Sequence, residues 1–172
     1  MVEIRVVVPD DLARIEVTYP ISVGTPGNPH REQFQRQREG QLTWLVAWNG
    51  DQPCGSVILR WPGEPDERTD QATSLGCAEI GGLGVDEAVR GRGIGAALMQ
   101  EAETLARSRH TRLLGLEVTD ANPNQVPARS LYNRLGYEDA GFGTFISGYT
   151  YWDTDGTAHR DEEPHRYLIK WL

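Results

Sequence analysis

One lysine, two cysteines and no long apolar run stand out in this chain of 172 residues. Each scarcity excludes something. No stretch approaches the roughly 20 apolar residues that a membrane helix needs. The opening MVEIRVVVPDD lacks a basic segment followed by an apolar one, so no signal peptide is expected and cytoplasm is the expected compartment. Cys54 and Cys77 fit neither a metal spacing nor a disulfide framework, and read as small strand residues. His30, His110, His159 and His165 form no ligand set, so no metal is expected and solvated or structural roles are. Repeats and low-complexity tracts are absent, and the length suits one domain over residues 1–172. A formal net charge of −8 argues against nucleic acid as a partner.

What is present is a soluble globular mix, 38% apolar and 24% charged, enough for a packed core. The basic residues are 16 arginines and Lys170, and seven of the arginines lie between Arg90 and Arg134. A local basic segment in an acidic chain points to an anionic ligand there.

Apolar spacing sets the expected elements. Val2–Val8 reads as a strand stopped by Pro9, and Asp10 or its neighbour caps a short helix to about Val17. Residues 20–29 are a Pro- and Gly-rich loop, and His30–Glu39 a polar helix. Two β-rich runs, Leu42–Trp48 and Pro53–Trp61, flank Asn49-Gly50, a strong hairpin signal. Residues 62–76 are expected as an acidic loop, and Cys77–Val85 as a strand. Arg92–Arg109 carries Ile94, Ala97, Leu98, Ala102 and Leu105 at helical spacing. Arg112–Thr119 is a strand, and Pro127–Leu135 a helix opened by proline and ended by Gly136. Tyr137–Ile146 and His165–Trp171 are the last major strands, with an extra hairpin between them around Asp155-Gly156. The expected class is α/β (α+β), a mixed central sheet flanked by helices.

The segment Arg90-Gly91-Arg92-Gly93-Ile94-Gly95-Ala96 joins a strand to the long helix. Its glycines allow a sharp turn that presents consecutive N–H groups. The first N–H groups of a helix lack internal partners, and the helix dipole adds positive charge. The segment is therefore suited to a pyrophosphate, with Arg90 and Arg92 adding charge-assisted bonds. Gly91, Gly93 and Ala96 also satisfy the dinucleotide fingerprint. Against that reading, Asp86–Arg90 separate the glycines from their strand, and three strand candidates precede this one.

Together these residues resemble a known family. Arg90-x-x-Gly93-x-Gly95 is similar to the R/Q-x-x-G-x-G/A motif of the GCN5-related N-acetyltransferase (GNAT) superfamily. Ala78-Glu79-Ile80 and Leu83-Gly84-Val85 resemble its preceding strand. Pro127 to Tyr137, PARSLYNRLGY, is similar to its A-x-x-L-Y-x-x-x-G-F signature. The resemblance covers about residues 77–142 and departs at one place: Gln125 stands where the family often has asparagine, with Asn122 and Asn124 nearby.

The resemblance implies the acyl-CoA N-acyltransferase fold, with the hairpin at 147–164 as an addition, and acetyl-CoA as co-substrate. It implies coenzyme contacts from Leu83, Gly84, Val85, Arg90 through Ala96, Asn124 and Arg129. Backbone N–H groups at Leu83–Val85 would receive the oxyanion. Tyr132 would protonate the leaving thiolate, since a tyrosine keeps its proton to about pH 10. Glu79 would take the proton of the attacking ammonium, directly or through water, or is simply a paired strand carboxylate. The implied acceptor is a small-molecule amine. Asp153, Asp155, Asp161, Glu162 and Glu163 form either a solvated face or an attractor for a cationic amine, and Tyr149 and Trp152 either pack or line its pocket. Three other readings stay open: a protein N-terminus as acceptor, a non-catalytic acyl-CoA sensor, and a nucleotide-dependent oxidoreductase. The oligomeric state is not determined, and a homodimer stays open.

Overall fold

Strands and helices follow one another much as the apolar spacing sets them. The computed structural model describes residues 2–63, 66–120 and 126–172. In chain order the elements are β1 (Val2–Val6), α1 (Leu12–Thr18), α2 (Pro29–Arg38), β2 (Leu42–Asn49) and β3 (Gln52–Arg60). Next come α3 (Asp70–Leu75), β4 (Ala78–Val85), α4 (Ile94–Ser108), β5 (Leu113–Thr119) and α5 (Val126–Arg134). The chain ends with β6 (Glu138–Asp139), β7 (Phe145–Trp152) and β8 (Ala158–Trp171).

All strands form one eight-stranded sheet in the order β1-β2-β3-β4-β5-β8-β6, with β7 also pairing β8. Among the described strands only β4 and β5 run parallel. That pairing needs a crossover, and α4 supplies it. The antiparallel pairs are local, as at the β2–β3 turn, where Asn49 faces Gln52 and Gly50 takes a φ of +61°.

Period-two alternation divides the sheet into two faces. One carries Leu45, Ala47, Val57, Leu59, Ala78, Ile80, Leu114, Leu116 and Leu168 against Ile94, Leu98, Met99, Ala102 and Ala106 of α4. Burying a large aliphatic side chain contributes roughly 1.5–3 kcal/mol, so this is the main stabilising layer. The other face carries Trp44, Val46 and Trp48 against Ile15 of α1, and further along Cys77, Leu113 and Tyr167. Between those two clusters the second face is polar. It presents Ser56 and Arg60 of β3, Glu79 of β4, and Glu117 and Thr119 of β5.

Three expectations about the elements change. Residues 62–76 hold the helix α3, capped by the Thr69 side chain accepting from Ala72 N–H and ended by Gly76 at φ +63°. The Tyr137–Ile146 strand is broken after Asp139, because Gly141 and Gly143 adopt φ of +83° and +74° and Asp139 Oδ1 accepts from Gly141 N–H. The last strand starts at Ala158, so the expected extra hairpin is the outer half of one long β7–β8 ribbon.

Candidate active site

The parallel pair opens into a gap. β4 pairs β5 only from Ala78↔Leu114 to Ile80↔Leu116, and beyond that the two strands part. β4 meanwhile stays paired to β3 as far as Val85↔Gly55. Ser56 faces Gly84 while Ile58 faces Gly81, so β4 carries one extra residue between them. Gly82 sits in that bulge with φ +59°, a conformation that favours glycine. The edge of β4 holding Leu83, Gly84 and Val85 is thus turned into the gap without a strand partner on that side.

The glycine turn lies at the end of that edge. Gly91 and Gly93 have φ of +76° and +82°, and Gly93 is the N-cap of α4 with no side-chain cap. The N–H groups of Ile94, Gly95 and Ala96 come before the first helical bond, Ala97 N–H to Gly93 O at 3.0 Å. Gly95 packs between Leu131 of α5 and Val85 of β4. One glycine thereby holds together the three segments that carry the motifs. Arg92 is exposed beside the turn. Arg90 folds back, its Nε donating to Val85 O at 3.0 Å. Arg129 pairs with Asp120, which also accepts from Arg166 Nε at 2.6 Å. Asn124, together with Asn122 and Gln125, lies outside the described residues.

Tyr132 is buried at 8% exposure on α5, edge-on to the Tyr137 ring at 6.2 Å. Burial pushes its hydroxyl up to about 12. Glu79 is buried on the polar face and fully engaged. Its Oε2 accepts from Thr69 N–H at 3.2 Å, from the Thr69 hydroxyl, and from the Tyr167 hydroxyl at 3.1 Å. Its Oε1 lies 3.5 Å from Arg60 Nη1. The two groups expected to do the chemistry therefore differ: Tyr132 is hydrophobically enclosed and Glu79 is saturated with donors.

Among the described residues two cavities open on the polar face, one over β3 and β4 and one over β5 and β8. The first, of 480 Å³, lies over β3 and β4 under α1 and α2, and is lined by Tyr19, His30, Trp44, Ser56, Gly84 and Arg90 among others. His30 is structural there, stacked on Trp44 and bonded through Nε2 to Tyr19 O at 2.7 Å. The second, of 380 Å³, lies over β5, β8 and β7, with Glu117, Ser147, Tyr149, Asp161, Glu163 and His165 in its wall. Glu117 is half-buried, and its Oε2 accepts from Ser147 Oγ at 2.9 Å. Burial pushes its carboxyl above the ordinary glutamate value, Glu79 adds to this, and Ser147, His165 and Arg60 oppose it. The loop between α1 and α2 meets the β7–β8 turn above this face: a Cβ on Gly24 would fall on the Asp153 carbonyl oxygen.

Sequence reasoning missed Glu117. Its only signal is a lone charge inside the apolar strand LLGLEVT, a pattern as common in paired structural carboxylates. Of the acidic residues named from sequence, Asp161 and Glu163 face the second cavity, while Asp153 and Asp155 organise the turn by accepting from Thr157 N–H. Trp152 and its neighbour Tyr151 do not line either cavity; Tyr149 lines the second.

The model of the acetyltransferase (GNAT) family matches residues 10–137. A mycothiol acetyltransferase of Beutenbergia cavernae is 35% identical over 109 residues, which are 59% of this chain and 32% of that relative, so the match spans about a third of it. Among solved structures, the ribosomal-protein-S18-alanine N-acetyltransferase of Escherichia coli superposes with a TM-score of 0.65 at 19% identity, over 100% of this chain and 94% of that one. NAA60 of Arabidopsis thaliana in complex with acetyl-CoA gives 0.64 at 22% identity, over 100% and 99%. These likenesses carry the fold, and the family match spans the bulged strand, the glycine turn and Tyr132. The chain belongs to the GNAT family of acetyltransferases.

Proposed function

We propose that this chain moves an acetyl group from acetyl-CoA to the primary amine of a small cationic molecule, by direct attack. The observation that carries the acceptor half is the second cavity. Glu117, Asp161 and Glu163 line it, and Glu117 stands on β5 just past the point where β5 leaves β4. Carboxylates there favour an ammonium ion, and low-dielectric walls strengthen the attraction.

The coenzyme half rests on the glycine turn and the strand edge. The exposed N–H groups at the start of α4, with Arg92 beside them, suit the pyrophosphate. The pantetheine arm adds to the β4 edge as an extra strand would. Leu83–Val85 N–H groups then lie along the thioester, where an oxyanion forms. Tyr132, with its raised pKa, is the proton donor to the departing sulfur. Among the carboxylates on this face, Glu79 and Glu117 stand nearest the gap to receive the ammonium proton.

A thiol-release assay with acetyl-CoA and a panel of amines tests this. Turnover is expected for small diamines and polyamines, with KM rising as salt is added. Best turnover of neutral amines, or a KM indifferent to salt, removes the cationic acceptor. Best turnover of peptide N-termini moves the activity to proteins, the kind of acceptor named for the E. coli relative.

A further inference from the structure

We propose that Glu117, and not Glu79, takes the proton from the acceptor ammonium, an assignment that rests on the acetyl-transfer reading. The first argument is position. Glu117 is the first residue of β5 past its last pair with β4, Leu116↔Ile80. It stands at the mouth of the gap, on the face shared with Glu79, and its carboxylate lines the second cavity. Glu79 is one step further back, opposite Gly115, and lines neither cavity.

The second argument is occupancy. Glu79 Oε2 already holds three donors and its Oε1 faces Arg60. Both oxygens of Glu79 are thus already turned to partners inside the fold. Among the described residues Glu117 accepts one bond, from Ser147, and its other oxygen has no protein donor. Burial and the neighbouring charge of Glu79 raise its affinity for a proton, against Ser147, His165 and Arg60. Asp161 and Glu163 also face the cavity, but Glu163 accepts from Thr119 at 2.7 Å and both lie on β8, one strand further from the gap. His165 is also on β8, with Nδ1 tied to Glu163 O at 2.9 Å.

The step balances as follows in protons and bonds. Glu117 accepts one ammonium proton and later passes it to water. The amine nitrogen bonds to the carbonyl carbon, and the carbonyl π pair moves to oxygen. As that pair returns, the C–S bond breaks. Tyr132 gives sulfur its proton and recovers one from the nitrogen of the new amide. One proton is released per turnover.

The test is the pH dependence of kcat/KM for wild type, Glu117→Gln, Ser147→Ala and His165→Gln, with amines of graded basicity. Wild type should rise along a limb above the ordinary glutamate range. Glu117→Gln should abolish that limb and lower the rate about 100-fold or more for strongly basic amines. The deficit should shrink for weakly basic amines, which arrive already deprotonated, and a merely structural role would not produce that trend. Ser147→Ala, which removes a donor to the charged carboxylate, should move the limb to higher pH. An acetyl-CoA-dependent thermal shift in each variant shows that it is folded. An equal deficit for all amines, a limb retained in Glu117→Gln, or a limb lost only in His165→Gln overturns the assignment while leaving acetyl transfer standing. A wild type that turns over no amine overturns both.

Discussion

Tyr167 of β8 reaches over Gly115 of β5 and donates its hydroxyl to Glu79 of β4 at 3.1 Å. Three adjacent strands are tied together at the place where two of them begin to part. A Cβ at position 115 would fall on the Tyr167 hydroxyl and ring, and Tyr167 is wholly buried. Gly115→Ala is therefore expected to destabilise the fold by about 1–3 kcal/mol, through overpacking and a displaced hydroxyl. Urea unfolding checks it; an unchanged midpoint would show that the ring has room to move.

Glu79 is expected to matter more for stability than for proton transfer. Glu79→Gln leaves Arg60 without its carboxylate and gives Thr69 and Tyr167 a weaker acceptor. The expected cost is about 1–3 kcal/mol. Its pH–rate profile should keep the rising limb that Glu117→Gln loses. Loss of that limb in Glu79→Gln returns the base role to Glu79.

Tyr132 sits in the core with its pKa pushed up to about 12 by burial. It stays protonated throughout the useful range, so kcat should not fall through its ionisation below about pH 10. Tyr132→Phe should lower kcat by about 100-fold with little change in the KM for acetyl-CoA. Equal kcat in the variant rules out the acid role.

Lys170, the single lysine, holds buried Glu103 of α4 through bonds of 2.7 and 2.8 Å. Lys170→Met removes the close cation from that carboxylate, leaving Arg107 at 3.6 Å and the neighbouring Tyr137 hydroxyl. Lys170 is partly exposed, so the loss should be about 2–3 kcal/mol, at or below the low end for a broken buried pair. Adding Glu103→Gln should recover part of it, and a double-mutant cycle measures how much.

Gly24 has a φ of +93° and lies against the Asp153 carbonyl. Gly24→Val should strain the loop by roughly 1–3 kcal/mol and part it from the β7–β8 turn. The KM for the amine should change several-fold while that for acetyl-CoA holds. Identical shifts in both constants would separate this contact from acceptor binding.

Much of the frame was legible because it is local. The β2–β3 hairpin follows from Asn49-Gly50 between β-rich runs, and α4 from the spacing of Ile94, Leu98 and Ala102. The helix α3 carried its own signals, Thr69 and Gly76 at its ends, but its six residues include only Ala72 and Leu75 as apolar ones, too few to set a period. The break after Asp139 also depended on local glycines, whereas the merging of the extra hairpin with the last strand depended on the unbroken pairing of β8 with β7 from Ala158 to His165.

The sequence by itself determined the strand-turn-helix with its glycines, the tyrosine of α5, and hence the family and its donor. Those features are backbone conformations and short spacings, which neighbouring residues impose on one another. Only the tertiary structure separates the two strand carboxylates, Glu79 and Glu117, by their partners. Glu79 and Glu117 are alike in sequence, each a charge in an apolar strand. Their difference arises because Thr69, Arg60 and Tyr167 converge on the first from three separate elements, while the second faces a cavity where the sheet opens.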